Sequence, residues 1–202
     1  DVYEGRIRNG KFHGRGKIIR ATGEVYEGGF SKGAADGRGT LLSGDKEWFY
    51  EGTFKNGKRQ GHGTNRQLEE GGEVYEGEYK NDKWHGQGKL QFAGGGSYEG
   101  EFERDKFNGK GKYVFADGSV YEGNFENDLR NGMGSMTYAA DKSLYKGEWK
   151  KNWRHGYGTL TYGGGNVFSG RFSGDKKDGS GVLTMLNGTP KEQKWVKGAL
   201  VP

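Results

Sequence analysis

Large apolar side chains recur along this chain at fixed intervals and never in long runs. Tyr or Phe stands at residues 3, 26, 50, 75, 98, 121, 145 and 168, with spacings of 23 to 25 residues. With that aromatic as position 1, position 5 is Ile7, Phe30, Phe54, Tyr79, Phe102, Phe125, Trp149 and Phe172, and position 16 is mostly large and apolar, from Ile18 to Leu183. Positions 3, 12 and 14 are Gly in every copy. Positions 1, 3 and 5 have the period of a strand, so they share one face. Positions 12 to 18 read as a second strand with the same alternation. Positions 7 to 11 read as the turn between them. Position 8 holds Gly10, Gly33, Gly57, Asp82, Asp105, Asp128, Asn152 or Asp175, the residue types that tolerate a left-handed backbone. Each copy therefore predicts a β-hairpin, apolar on one face and largely charged on the other at positions 2, 4, 6, 13 and 15.

Glycine normally weakens a strand. Its recurrence on the aromatic face predicts rings lying flat on bare backbone. One hairpin cannot bury its apolar face alone, so the hairpins must stack. The pattern Y-E-G-x-[FYW]-x-x-[GDN]-x-x-x-G-x-G-x-[LIM] resembles the MORN repeat over residues 3–190. The resemblance, taken with the strand pattern, implies an all-β fold: an elongated, single-layer antiparallel sheet of stacked hairpins, a rod with about 16 strands spaced ~4.8 Å apart. One array is expected over residues 1–202, with a degenerate ninth copy at 191–202 that carries Trp195 at position 5. Repeats 2 and 3 are expected to be the weakest, because Ser43, Asn65 and Gln67 stand where other copies place apolar groups.

Composition narrows the picture. Only 30% of residues are hydrophobic, 42 are Gly, and mean hydropathy is −1.03, values that approach those of a disordered chain. An aromatic share of 14% opposes disorder and points to a core of rings. The net charge of +5 comes from 32 basic and 27 acidic residues spread along the chain. Cys is absent and no long apolar run occurs, which fits a cytoplasmic protein at the cytoskeleton or the inner face of a membrane. The chain opens on a repeat without Met, as a piece of a longer array would.

No constellation predicts catalysis, a cofactor or a metal. His13, His85 and His155 share position 11, but lie three repeats apart in turn; at two strands per repeat that is ~30 Å, far beyond a shared Zn shell. The Glu row at position 2 is repeated and exposed, with no pocket to separate pKa values. The Gly-x-Gly pairs lack the sequence of a phosphate loop. Lys58, Lys83 and Lys106 at position 9 form a basic stripe that would suit anionic-lipid or phosphoinositide headgroups. The aromatics are needed in the core, so no nucleic-acid stacking row remains. In repeats 6 and 7 the polar positions 9 and 13 become Leu129, Met133, Trp153 and Tyr157. Together with Phe168, Phe172, Met185 and Trp195 near the degenerate copy, these residues predict a homodimer interface. Within its family the array looks like the self-associating end of a protist cytoskeletal protein. That implies a non-enzymatic scaffold binding a cytoskeletal or membrane-associated protein, with peripheral lipid binding as the alternative.

Overall fold

The computed structural model describes residues 1–202 and contains no helix. Eighteen strands form an open antiparallel sheet of stacked hairpins. The chain divides into two compact units, Asp1–Gly95 with Glu101–Lys106, and Gly96–Gly100 with Phe107–Pro202. Unit 1 holds β1 (Val2–Arg8), β2 (Lys11–Ile19), β3 (Val25–Ser31), β4 (Ala34–Leu42), β5 (Trp48–Lys55), β6 (Lys58–Gln67), β7 (Val74–Lys80) and β8 (Lys83–Gln91). Strand β9 (Ser97–Glu103) supplies residues to both units. Unit 2 holds β10 (Lys106–Val114), β11 (Val120–Glu126), β12 (Leu129–Thr137), β13 (Leu144–Lys150), β14 (Trp153–Thr161), β15 (Val167–Ser173), β16 (Lys176–Thr184), β17 (Pro190–Val196) and β18 (Ala199–Val201). The last pair comes from the degenerate ninth copy and carries the strand count past the expected 16.

The turn is shorter than the sequence pattern suggests. It occupies only positions 7 and 8, and both residues are left-handed: Asn9 and Gly10 at φ 50° and 69°, Asn127 and Asp128 at 49° and 69°. That backbone twist matches the twist of the flanking strands. The second strand therefore starts at position 9, and position 10 lies opposite position 5, as in Phe125↔Arg130 and Tyr79↔Trp84. A bulge then separates that pair from the next, Gly123↔Gly134 and Gly77↔Gly88. Position 12 sits inside the bulge with positive φ, 79° at Gly132 and 62° at Gly86, so its glycine serves backbone shape rather than ring packing.

Positions 3 and 14 are where the rings lie. A Cβ on Gly88 would come 2.6 Å from the Tyr75 hydroxyl, and one on Gly77 would come equally close. The position-1 hydroxyl then donates to the carbonyl of position 4 within the bulge: Tyr26 to Gly29 at 2.8 Å, Tyr75 to Glu78 at 2.8 Å, Tyr145 to Glu148 at 3.0 Å. Burial, with a smaller contribution from Asp36, pushes the Tyr26 hydroxyl up to about 12. Within each unit the position-5 rings stand edge-on to position-1 rings, typically one from their own repeat and one from the repeat before. Phe54 meets Tyr26 at 4.9 Å and Tyr50 at 5.2 Å; Trp149 meets Tyr121 at 5.3 Å and Tyr145 at 5.2 Å. Such pairs add ~0.5–1.5 kcal/mol beyond burial. Tyr50, Tyr75, Tyr121, Tyr145 and Phe168 are wholly buried in this ladder. Trp195 continues it onto Phe168 at 6.2 Å.

Candidate functional site

Position 10 completes the aromatic face. Phe12 stacks on Tyr3 at 3.8 Å, Trp84 on Tyr75 at 4.4 Å and Phe107 on Tyr98 at 3.9 Å. In other repeats a cation takes the same place. The Arg59 guanidinium lies 5.6 Å from the Tyr50 ring, Arg130 lies 4.5 Å from Trp149, and the Lys177 ammonium lies 4.2 Å from both Phe168 and Trp195. The repeat pattern alone places these residues in the turn. The signal for them was the row Phe12, Trp84, Phe107 at one repeat position. Repeat 2 has only Ala35 at this position, and there the aromatic face of unit 1 keeps a cavity of about 510 Å³ lined by Phe12, Tyr26, Phe30, Phe54 and Arg59. The opposite face, built from positions 2, 4, 13 and 15, carries the larger grooves.

In unit 1 this open face forms a groove of about 950 Å³, with Glu4, Glu27 and Glu51 on one side and Arg15, Arg38 and His62 on the other. In unit 2 the same face forms a groove of about 1150 Å³ lined by Met133, Tyr157, Val182, Leu200 and Val201. The difference is one of side-chain chemistry on a common backbone. Met133 lies opposite Glu148, and Tyr157 lies opposite Arg171, whose guanidinium is 5.6 Å from the Tyr157 ring.

The eight residues expected at a subunit interface fall in different environments. Met133, Trp153 and Tyr157 are exposed by 59%, 57% and 66%, and Leu129 is half-buried. Phe168 and Phe172, at 0% and 2% exposed, lie inside the ring ladder of their own unit, because they occupy positions 1 and 5. Trp195 is half-buried on that same aromatic face, and Met185 is exposed beyond the end of β16. A single patch therefore does not hold all eight. Lys58, Lys83 and Lys106 are exposed beside the turns. The acidic turn residues interleave with them, and the Lys83 ammonium approaches Asp105 at 3.8 Å.

No three His, Asp, Glu or Cys side chains converge as a metal site would require, and no helix is long and apolar enough to cross a membrane.

A family model described as the MORN repeat matches residues 3–25, 26–47, 50–64, 75–97, 98–120, 121–140, 145–167 and 168–189. No curated protein matches the chain. Among solved structures, the wild-type TCP10 domain of Danio rerio CPAP is similar at 11% identity and a TM-score of 0.50, covering 93% of this chain and 87% of that one. The same domain in complex with a peptide of Danio rerio STIL is similar at 9% identity and a TM-score of 0.48, covering 90% and 84%. At such identity the likeness is one of fold.

Proposed function

Because the chain belongs to the MORN-repeat family, we propose that its nine copies act as one non-enzymatic array, a scaffold that pairs with a second copy of itself through the C-terminal repeats and holds partner proteins where a membrane meets the cytoskeleton. The observation that supports the self-association is the exposed trio Met133, Trp153 and Tyr157, with the half-buried Leu129, at positions that hold no large apolar group in repeats 1–5. Burying a side chain of this size is worth ~1.5–3 kcal/mol, and Trp and Tyr dominate binding hot spots. A two-fold contact uses the same patch on both copies and closes, so growth stops at a dimer.

The experiment is solution mass by light scattering on the full chain and on Trp153→Glu combined with Tyr157→Glu. The dimer is expected for the first and a folded monomer for the second. A folded, dimeric double variant would remove this surface from consideration.

The competing reading is contact with anionic lipid through Lys58, Lys83 and Lys106, supported by their exposure. The Lys83–Asp105 pair and the neighbouring turn carboxylates weigh against it. Charge reversal of all three lysines separates the two: it abolishes co-sedimentation with phosphoinositide vesicles if lipid is the ligand, and leaves the dimer untouched if it is not.

A further inference from the structure

The groove of unit 1 carries an ordered charge pattern that neither dimerisation nor lipid contact uses. Strand register fixes two parallel rows. One runs Glu4, Lys17, Glu27, Thr40, Glu51, each residue directly opposite the next. The other holds Arg15, Arg38 and His62 at position 13 of successive repeats, opposite Gly29, Thr53 and Glu78. Two residues along a strand separate the rows, ~6.8 Å. The backbone of positions 3 and 14 lies between them and forms the floor. Glu4, Glu27, Glu51, Arg15 and Arg38 are exposed, and none of them takes part in an ion pair.

We propose that this groove binds an extended, polyproline-type peptide segment that presents one column of acidic residues to the arginine row and one column of basic residues to the glutamate row, three peptide residues per repeat. The inference deepens the scaffold reading by naming the chemistry of a partner, and it rests on a surface apart from the self-association patch. Period selects the conformation. Equivalent groove residues recur every two strands, ~9.6 Å at ~4.8 Å per strand. A polyproline II helix returns to the same side every three residues, ~9.3 Å. An α-helix offers ~10.5 Å after seven residues, and the error of about 1 Å per repeat accumulates. A β-strand repeats its side chains every ~6.8 Å and falls out of step at once. Charge selects the class of partner. The first row, three glutamates against the single Lys17, repels the phosphates of nucleic acid and of an anionic membrane, whereas a peptide striped with both signs satisfies both rows. Unit 2 lacks the pattern: its position-13 residues are Lys110, Met133, Tyr157 and Ser180, a single cation in four, and its position-2 residues include Lys146 and Ser169.

The test is a binding titration of the full chain with a labelled peptide in which lysine, proline and aspartate recur with period three, made in both chain directions. A peptide of the same composition without the period is the control. One direction of the periodic peptide is expected to bind, weakening as salt rises. Arg15→Glu with Arg38→Glu should weaken it about tenfold or more, several exposed charge contacts being lost together. Glu27→Lys with Glu51→Lys should do the same, while Trp153→Glu with Tyr157→Glu should leave it unchanged. Equal binding of periodic and shuffled peptides, no saturable binding of either, or indifference to the groove substitutions would overturn the proposal. So would phosphatidylserine vesicles that compete for the same arginines. Mass read from the same samples keeps the outcome separate from the dimer: the groove variants stay dimeric if self-association holds, whatever the peptide does.

Discussion

At the residue scale the fold depends on what is missing from two positions. Gly88 and Gly77 face each other under the Tyr75 ring, and that ring cannot retreat: it is wholly buried, stacked by Trp84 and held by its hydroxyl on the Glu78 carbonyl. A methyl at Gly88 would stand 2.6 Å from the hydroxyl and 2.7 Å from the ring edge. Gly88→Ala is expected to cost about 3 kcal/mol, the upper range for forcing an extra methylene into a filled core. Gly94 offers the contrast. Nothing lies within 4 Å of its Cβ direction and its φ is not left-handed. Gly94→Ala should change stability by no more than about 0.5 kcal/mol. Thermal or denaturant unfolding of the two variants reads the difference, and similar losses for both would refute the ring-seat account of position 14.

At the scale of the element, each turn joins its repeat to the one before. The backbone N–H at position 8 donates to the carbonyl of position 10 in the previous repeat, Asp128 to Phe107 at 3.0 Å. The side chain closes the return path: Phe107 N–H donates to the Asp128 carboxylate at 2.8 Å, and Arg130 N–H to the Asn152 amide oxygen at 2.8 Å. Asn152 shows that an amide serves as well as a carboxylate, so Asp128→Asn should be nearly neutral. Asp128→Gly keeps the left-handed turn and loses the acceptor, a cost of about 1 kcal/mol. Asp128→Ala loses the acceptor and adds strain at φ 69°, so it should be the least stable of the three. A different order of melting temperatures would mean that the clamp does not join the repeats. Strand positions, the ring face and the left-handed turn residues were legible in the sequence because they obey period 2 and the chemistry of Asn, Asp and Gly. The length of the turn was not, because the bulge after it inserts residues without reversing which side chains face in. Position 10 therefore falls in the turn by sequence pattern, although Phe12, Trp84 and Phe107 point to the core. The open face was half legible. The rise of Met133, Trp153 and Tyr157 at polar positions could be seen in the sequence. The burial of Phe168 and Phe172 was also legible, since they occupy positions 1 and 5 of repeat 8, and it conflicts with a place at a subunit interface.

At the scale of the whole molecule, a stack of hairpins is only as cooperative as its neighbouring interfaces. Those interfaces are not equal. In repeat 3, Asn65 takes the place held by Leu90 or Leu160 elsewhere, and its side-chain oxygen is buried without a hydrogen-bond partner. In repeat 2, Ser43 is buried at 4% exposed and uses its hydroxyl to organise the following loop, donating to Asp45 and accepting from Trp48 N–H. Neither residue adds apolar contact between layers. Repeat 8, by contrast, is closed by Trp195 and by Lys177 between two rings. Opening free energy should therefore dip within unit 1, around β4 to β6, rather than fall off evenly from the ends. Native-state hydrogen exchange is expected to show the strand amides of Leu41 to Arg66 exchanging faster than those of β13 to β15. Asn65→Leu removes an unsatisfied buried oxygen and restores the apolar layer, so it should slow exchange in β5 and β6 and raise stability by about 1 kcal/mol or more. Amides of unit 2 should not respond, since nearest-neighbour coupling carries the gain only to adjoining hairpins. Slowing throughout the chain would instead mean that the array opens as a single cooperative block, and that the soft repeats do not act as a local joint.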